Sequence, residues 1–224
     1  MIIRLVIRTL VWFGVVGAVL FTAAGTWQWP AAWSFLLFMI LLGLGGGLWL
    51  MQIDPALFKE RMGPVIQPGQ PSADRIFMVA FLTVALVWLI VTGLDQRFGL
   101  SQMTIGVQIT GAVLALAGMA ISFWVLRENS FAAPVIKLQR DRGQRVIDTG
   151  PYHFVRHPMY SGAVLFFLGT SLWLGSWWSG ALTLIMAVLF AWRTMAEERT
   201  LRDGLPGYTD YTTRVRYRLC PGLW

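Results

Sequence analysis

The 224-residue chain holds one cysteine, two histidines and few charges, and each shortage excludes something. Cys220 alone forms no internal disulfide, and its place after the last apolar run suits a reduced, semi-buried apolar residue. His153 and His157 are spaced i, i+4, but Pro158 interrupts the helical register between them, and no third histidine or cysteine pair completes a ligand set. Metal binding is therefore not expected. Asp, Glu, Lys and Arg make up only 13% of the chain, against about a quarter in a soluble domain. Apolar residues supply 56% and the mean hydropathy is +0.61, which defines an all-α polytopic membrane protein.

Runs long enough to cross a bilayer occur at Leu5–Ala24, Ala31–Ile53, Ile76–Leu94 and Met103–Leu126, followed by hairpin arms at Pro158–Leu174 and Trp178–Ala196. Six crossings are expected, the fifth being short. A net charge of +7 would suit a nucleic-acid partner, but the basic residues flank apolar runs. With the N-terminus in the cytoplasm, 17 of the 18 lie on the cytoplasmic side and only Arg97 opposite, which predicts that both termini are cytoplasmic. The short connections suggest a prokaryotic inner membrane. Arg4, Arg8 and the following apolar run resemble a signal peptide, but five more runs follow and the first completes the charge alternation. Spans three and four carry almost no ionisable groups, which argues against a pump or ion channel.

The loop Asp54–Asp74 holds Pro55, Pro64, Pro68 and Pro71 and reads as a cytoplasmic connector, with one amphipathic turn at Pro55–Met62 lying on the membrane as the alternative. Residues 1–126 thus read as a four-helix scaffold. Residues 127–224 carry the chemistry, centred on DTGPYHFVRHPMYSG at Asp148–Gly162. Gly150-Pro151 mark a turn, and Pro158 suits the first turn of a helix, where a missing amide proton costs nothing. His157 lies 20 residues before Trp177 and Glu197 lies 20 after it, so the two arms of the hairpin return them to one depth. That depth is roughly 30 Å from the turn, one bilayer thickness. Adjacent carboxylates point about 100° apart on a helix, so one of Glu197 and Glu198 should face a pocket; pairs of Glu197 with Arg193 and Glu198 with Arg202 are the simpler alternative.

The series Gly150-Pro151-Tyr152, Val155-Arg156-His157-Pro158-Met159-Tyr160-Ser161-Gly162, an apolar hairpin and Glu197-Glu198 resembles the signature of isoprenylcysteine carboxyl methyltransferases. These belong to a wider group of integral-membrane methyltransferases that includes phospholipid methyltransferases. Leu201, Gly207-Tyr208, Tyr211, Val215 and Pro221 continue the resemblance, which spans about 129–224. It implies S-adenosylmethionine as methyl donor, with Arg156, Glu197 and Glu198 in catalytic roles and Asn129, Gly150, Tyr152, Val155, His157, Pro158, Tyr160 and Glu198 around the cofactor. The implied acceptor is a hydrophobic or lipid-like molecule entering from the bilayer and selected by the first 126 residues. Two other readings use the same features: a non-catalytic membrane binding or transport protein, and an NADPH-dependent reductase of related fold.

Overall fold

The computed structural model describes residues 1–67 and 69–224 and contains helices and loops only; Pro68 lies outside the described residues. The helices are α1 (Ile2–Ala24), α2 (Pro30–Ile53), α3 (Pro55–Arg61), α4 (Ser72–Phe98), α5 (Ile105–Glu128), α6 (Pro158–Trp173), α7 (Trp177–Gly204) and α8 (Tyr208–Arg214). Proline at the first turn starts α2, α3 and α6, as its fixed φ and missing amide proton favour. Left-handed glycines end α1 and α4, at Gly25 and Gly99, where a side chain would be strained.

Five helices, α1, α2, α4, α5 and α7, are long and apolar enough to span a membrane. The expected sixth, α6, has 16 residues and reaches about 24 Å, less than a bilayer core of about 30 Å. The arm is short because Gly175, at φ +84°, turns the chain early and α7 already begins at Trp177. What α6 lacks in length it gains in contact with α5. A β-carbon placed on Gly118 would lie 2.4 Å from the Gly162 carbonyl oxygen, and one on Gly169 would lie 2.3 Å from the Ala115 amide nitrogen. The two backbones therefore touch through a seam of small residues, the packing that dispersion favours where lipid removes the hydrophobic drive.

The helices α1, α2, α4, α6 and α7 enclose the main core, which includes Leu20, Phe35, Phe77, Trp88, Met186 and Phe190. At the end holding Arg97, Asp95 ties the loops together. It accepts from the Ser101 amide at 2.7 Å, the Ser101 hydroxyl at 2.7 Å and the Ser176 hydroxyl at 2.5 Å. At the other end α3 packs Leu57 and Phe58 on Leu5 and Leu50, and the Asp54 carboxylate caps it through the Leu57 amide at 2.9 Å. The turn at Pro55–Met62 is thus a folded short helix. Two helices outrun their predicted spans: α4 begins at Ser72, which makes Asp74 helical, and α7 continues to Gly204, carrying Glu197 and Glu198 beyond the apolar stretch on one rigid rod.

Candidate active site

The chain between α5 and α6 makes no long helix. It crosses the site-bearing end as loops, and the C-terminal tail returns to the same place after α8. The Arg156 amide donates to the Tyr217 carbonyl at 2.9 Å and the His157 amide to the Arg218 carbonyl at 2.9 Å, so the tail is strapped by backbone bonds to the start of α6. The Ser161 hydroxyl adds a bond to the Leu219 carbonyl at 2.5 Å. The Tyr211 hydroxyl donates to the Tyr152 carbonyl at 2.8 Å and anchors α8 on the turn before the RHP sequence.

His157 sits between the two glutamates. Its Nδ1 is 3.5 Å from Glu197 Oε2 and its Nε2 is 3.5 Å from Glu198 Oε1. Burial alone would lower the imidazole pKa, but the two carboxylates outweigh it and hold the pKa above the ordinary histidine value. The glutamates have different company. Glu197 accepts from the Tyr160 hydroxyl at 2.6 Å, and the rings of His157, Tyr160 and Phe190 stack in sequence at 5.6 and 5.3 Å. Glu198 is buried among arginines: Oε1 accepts from Arg156 Nε at 2.6 Å, while Oε2 faces Arg218 Nε at 3.2 Å and Arg202 Nη2 at 3.4 Å. Arg156 is fully committed, since its Nη1 also donates to the Val215 and Arg216 carbonyls at 2.7 and 2.8 Å.

The expected Glu198–Arg202 contact is present, whereas Arg193 turns away from Glu197. Its Nε lies 3.0 Å from Asp74 Oδ1, its Nη2 donates to the Pro134 carbonyl at 2.6 Å, and its guanidinium covers the Phe77 ring at 4.6 Å. Asp74 is fully buried and also accepts from Gln70 Nε2 at 2.7 Å and the Ile136 amide at 2.8 Å. This α4–α7 bridge went unpredicted, because Asp74 reads as the polar end of a loop. Its only sequence signal is a lone carboxylate two residues before an apolar run.

A cavity of about 440 Å³ opens among these elements. Glu197, His157, Tyr160, Tyr152 and Asn129 line its polar part, and Phe77, Met78, Phe81, Met119 and Phe123 from α4 and α5 line its apolar part. Arg156, Pro158 and Tyr208 also reach the wall. Asn129 Nδ2 donates to the Tyr152 hydroxyl at 2.7 Å, and burial raises the Tyr152 pKa so that the phenol stays neutral. Glu198, Val155 and Gly150 stand outside the wall. Glu198 is held in its arginine cluster, Val155 is buried, and Gly150, at φ +57°, packs on Glu128 and Trp124. Among the described residues no group of three His, Cys, Asp or Glu side chains is placed to hold a metal.

A buried carboxylate–imidazole–phenol cluster thus shares one cavity wall with apolar side chains of α4 and α5. Residues 107–204 match the phospholipid methyltransferase family, a family of integral-membrane methyltransferases that includes the isoprenylcysteine enzymes. The matched segment runs from α5 to the end of α7 and so holds the close-packed helix pair, His157, Tyr160 and the two glutamates. No protein of curated function matches the sequence.

Proposed function

We propose that the cavity binds S-adenosylmethionine and presents its methyl group to a hydrophobic acceptor that reaches the apolar chamber from the bilayer. The observation that carries this reading is one cavity lined both by polar groups, Glu197, His157, Tyr160, Tyr152 and Asn129, and by apolar side chains of α4 and α5. Its volume falls within the range of about 300–1,000 Å³ common for small-molecule sites. The residues fit such a donor: Glu197 accepts from hydroxyl or amino groups, and Tyr152 and Tyr160 offer aromatic faces to a cation or a flat base. The Tyr208 hydroxyl and His157 Nε2 are buried without a hydrogen-bond partner, and the Tyr208 side chain reaches the cavity wall.

The cofactor would supply a methyl group on a sulfonium, whose leaving group departs neutral. The chain's own work is then alignment and exclusion of water. The Tyr160 hydroxyl and His157 fix Glu197, while Glu198 and Arg156 fix the tail over the site. For a carboxylate or thiolate acceptor no base is needed; for an amine or alcohol, Glu197 is the carboxylate on the cavity wall. Selection of the acceptor falls to residues before 127, since α4 and α5 furnish the apolar walls. The clustering of 17 of the 18 basic residues at the site-bearing side supports a cytoplasmic donor site and cytoplasmic termini.

Calorimetric titration with S-adenosylhomocysteine tests the reading. Saturable binding by the native chain, weakened at least about tenfold by Glu197→Gln, is expected for a lost hydrogen bond to a charged group. A folded sample that binds NADPH and not S-adenosylhomocysteine would overturn it in favour of a reductase.

A further inference from the structure

Two of the charges around the cavity, Arg145 and Arg61, have no carboxylate partner among the described residues. Arg156 meets Glu198, Arg193 meets Asp74, His157 meets both glutamates, and Lys137 meets Glu60. Arg145 lies at the exposed mouth, where water solvates it. Arg61 also lines the wall, yet among the described residues it faces no carboxylate. Its Nη1 donates to the Ala132 carbonyl at 2.9 Å and touches the Met159 sulfur at 3.9 Å. No described residue accepts from its Nε or Nη2. Burial pushes its pKa down from the usual arginine value, and nearby Arg193 adds to the effect while Tyr152 opposes it. A guanidinium nevertheless stays protonated in a protein, so Arg61 presents a half-buried positive charge on the cavity wall.

The position of Arg61 is built rather than accidental. It ends α3, whose start is capped by Asp54 and whose apolar face is sealed against Leu5 and Leu50. The preceding residue, Glu60, is tied to Lys137, and Arg8 Nη1 grips the Met62 carbonyl at 2.6 Å on the other side. The bonds on either side of it hold a planar cluster of donors on the wall of the cavity that Phe77, Phe81 and Phe123 also line.

We infer that Arg61 is the anion receptor of this cavity, taking a carboxylate or phosphate oxygen of a bound ligand through its free donors. The inference rests on the methyl-transfer reading only for the source of the anion. One source is the amino-acid carboxylate of the donor. The other is an acidic head group of the acceptor, in which case Arg61 sets acceptor specificity.

The test uses the full chain in nonionic detergent, with Arg61→Gln and Arg61→Lys beside the native protein. Affinities are measured for S-adenosylhomocysteine, for methylthioadenosine, which lacks the amino-acid part, and for oleate and oleyl phosphate against uncharged oleyl alcohol. Arg61→Gln should weaken one acidic set by roughly ten- to a hundredfold and leave its uncharged counterpart unchanged, the loss expected for a charge-assisted bond. Loss confined to S-adenosylhomocysteine assigns the anion to the donor; loss confined to the oleyl acids assigns it to the acceptor. Arg61→Lys should retain part of the affinity, because it keeps the charge without the planar fork. The unliganded Arg61→Gln protein should melt no lower than native, since it no longer carries an unpaired, half-buried cation. Equal affinities of Arg61→Gln and native protein for every probe, or a lower melting temperature without a binding change, would overturn the inference. Arg61-dependent binding of an oleyl acid by a chain that ignores S-adenosylhomocysteine would sustain the anion site while removing the donor assignment.

Discussion

Replacing Asp74 by Asn tests whether the α4–α7 bridge holds the bundle together at the site. The carboxylate is fully buried and has three partners: Arg193 Nε at 3.0 Å on Oδ1, and Gln70 Nε2 and the Ile136 amide on Oδ2. An asparagine can keep its carbonyl oxygen where Oδ2 stood, satisfying Gln70 and Ile136. Its amide nitrogen must then face Arg193 Nε, donor against donor. The guanidinium keeps the Pro134 carbonyl and the Phe77 ring but loses its counter-charge in a low-dielectric setting. Breaking a buried pair from one side costs about 3–5 kcal/mol. For a chain of this size each kcal/mol lowers the melting temperature by about 2–4 °C, so the variant should melt roughly 6–20 °C below native. Thermal denaturation in detergent, followed by loss of the monodisperse species, reads this directly. The double variant Asp74→Asn, Arg193→Met removes both charges and should recover a substantial part of the loss. A single variant within about 2 °C of native, or a double variant worse than the sum of the two singles, would refute the argument.

Gly169→Ala places a methyl group 2.3 Å from the Ala115 amide and should abolish the well-packed species on gel filtration. Gly45→Ala, which meets nothing within 4 Å, should behave as native. The His157 pKa is raised in the folded chain, so folding takes up a proton and His157 adds stability that is complete below the unfolded value of about 6.5. That contribution should fade as pH rises through the higher folded value, and the gap in melting temperature between native and His157→Gln should shrink in the same direction; a gap that widens with pH reverses the sign and refutes the account. Glu198→Gln should lower both melting temperature and methyl-transfer rate, because it releases Arg156 and Arg218 together. Arg202→Ala, at a side chain 46% exposed, should shift the melting temperature by no more than about 2–4 °C, as for a surface pair of up to about 1 kcal/mol.

Much of this was legible because membrane residence simplifies the code. Apolar run lengths located five of the long helices, and equal spacing about Trp177 brought His157 and Glu197 within hydrogen-bonding range of one another. The rule that adjacent helical residues diverge predicted that one of the two glutamates would face a pocket without saying which; Glu197 lines the cavity and Glu198 is bound by arginines. The α6 arm, expected as a short crossing, is a 16-residue helix that runs from His157 at the site-bearing end toward Ser176, bonded to Asp95 at the other, and Gly162 and Gly169 pack it closely on α5. The misses have physical causes. Asp74 and Arg61 were invisible because each reads as an ordinary loop charge until tertiary structure encloses it.

The strap between the tail and the start of α6 bears on biogenesis. The backbone partners of Arg156 and His157 lie at Tyr217 and Arg218, near the C-terminal end of the sequence, and the arginine that flanks Glu198 from the tail lies there too. A nascent chain that has inserted α1 through α5 therefore holds the chamber walls but none of the carboxylates, and one that has just completed α7 holds the carboxylates without their strap. Translation delivers the scaffold first and the closure last. Until residues 215–219 fold back, Arg156, His157 and Glu198 lack the partners that fix the start of α6.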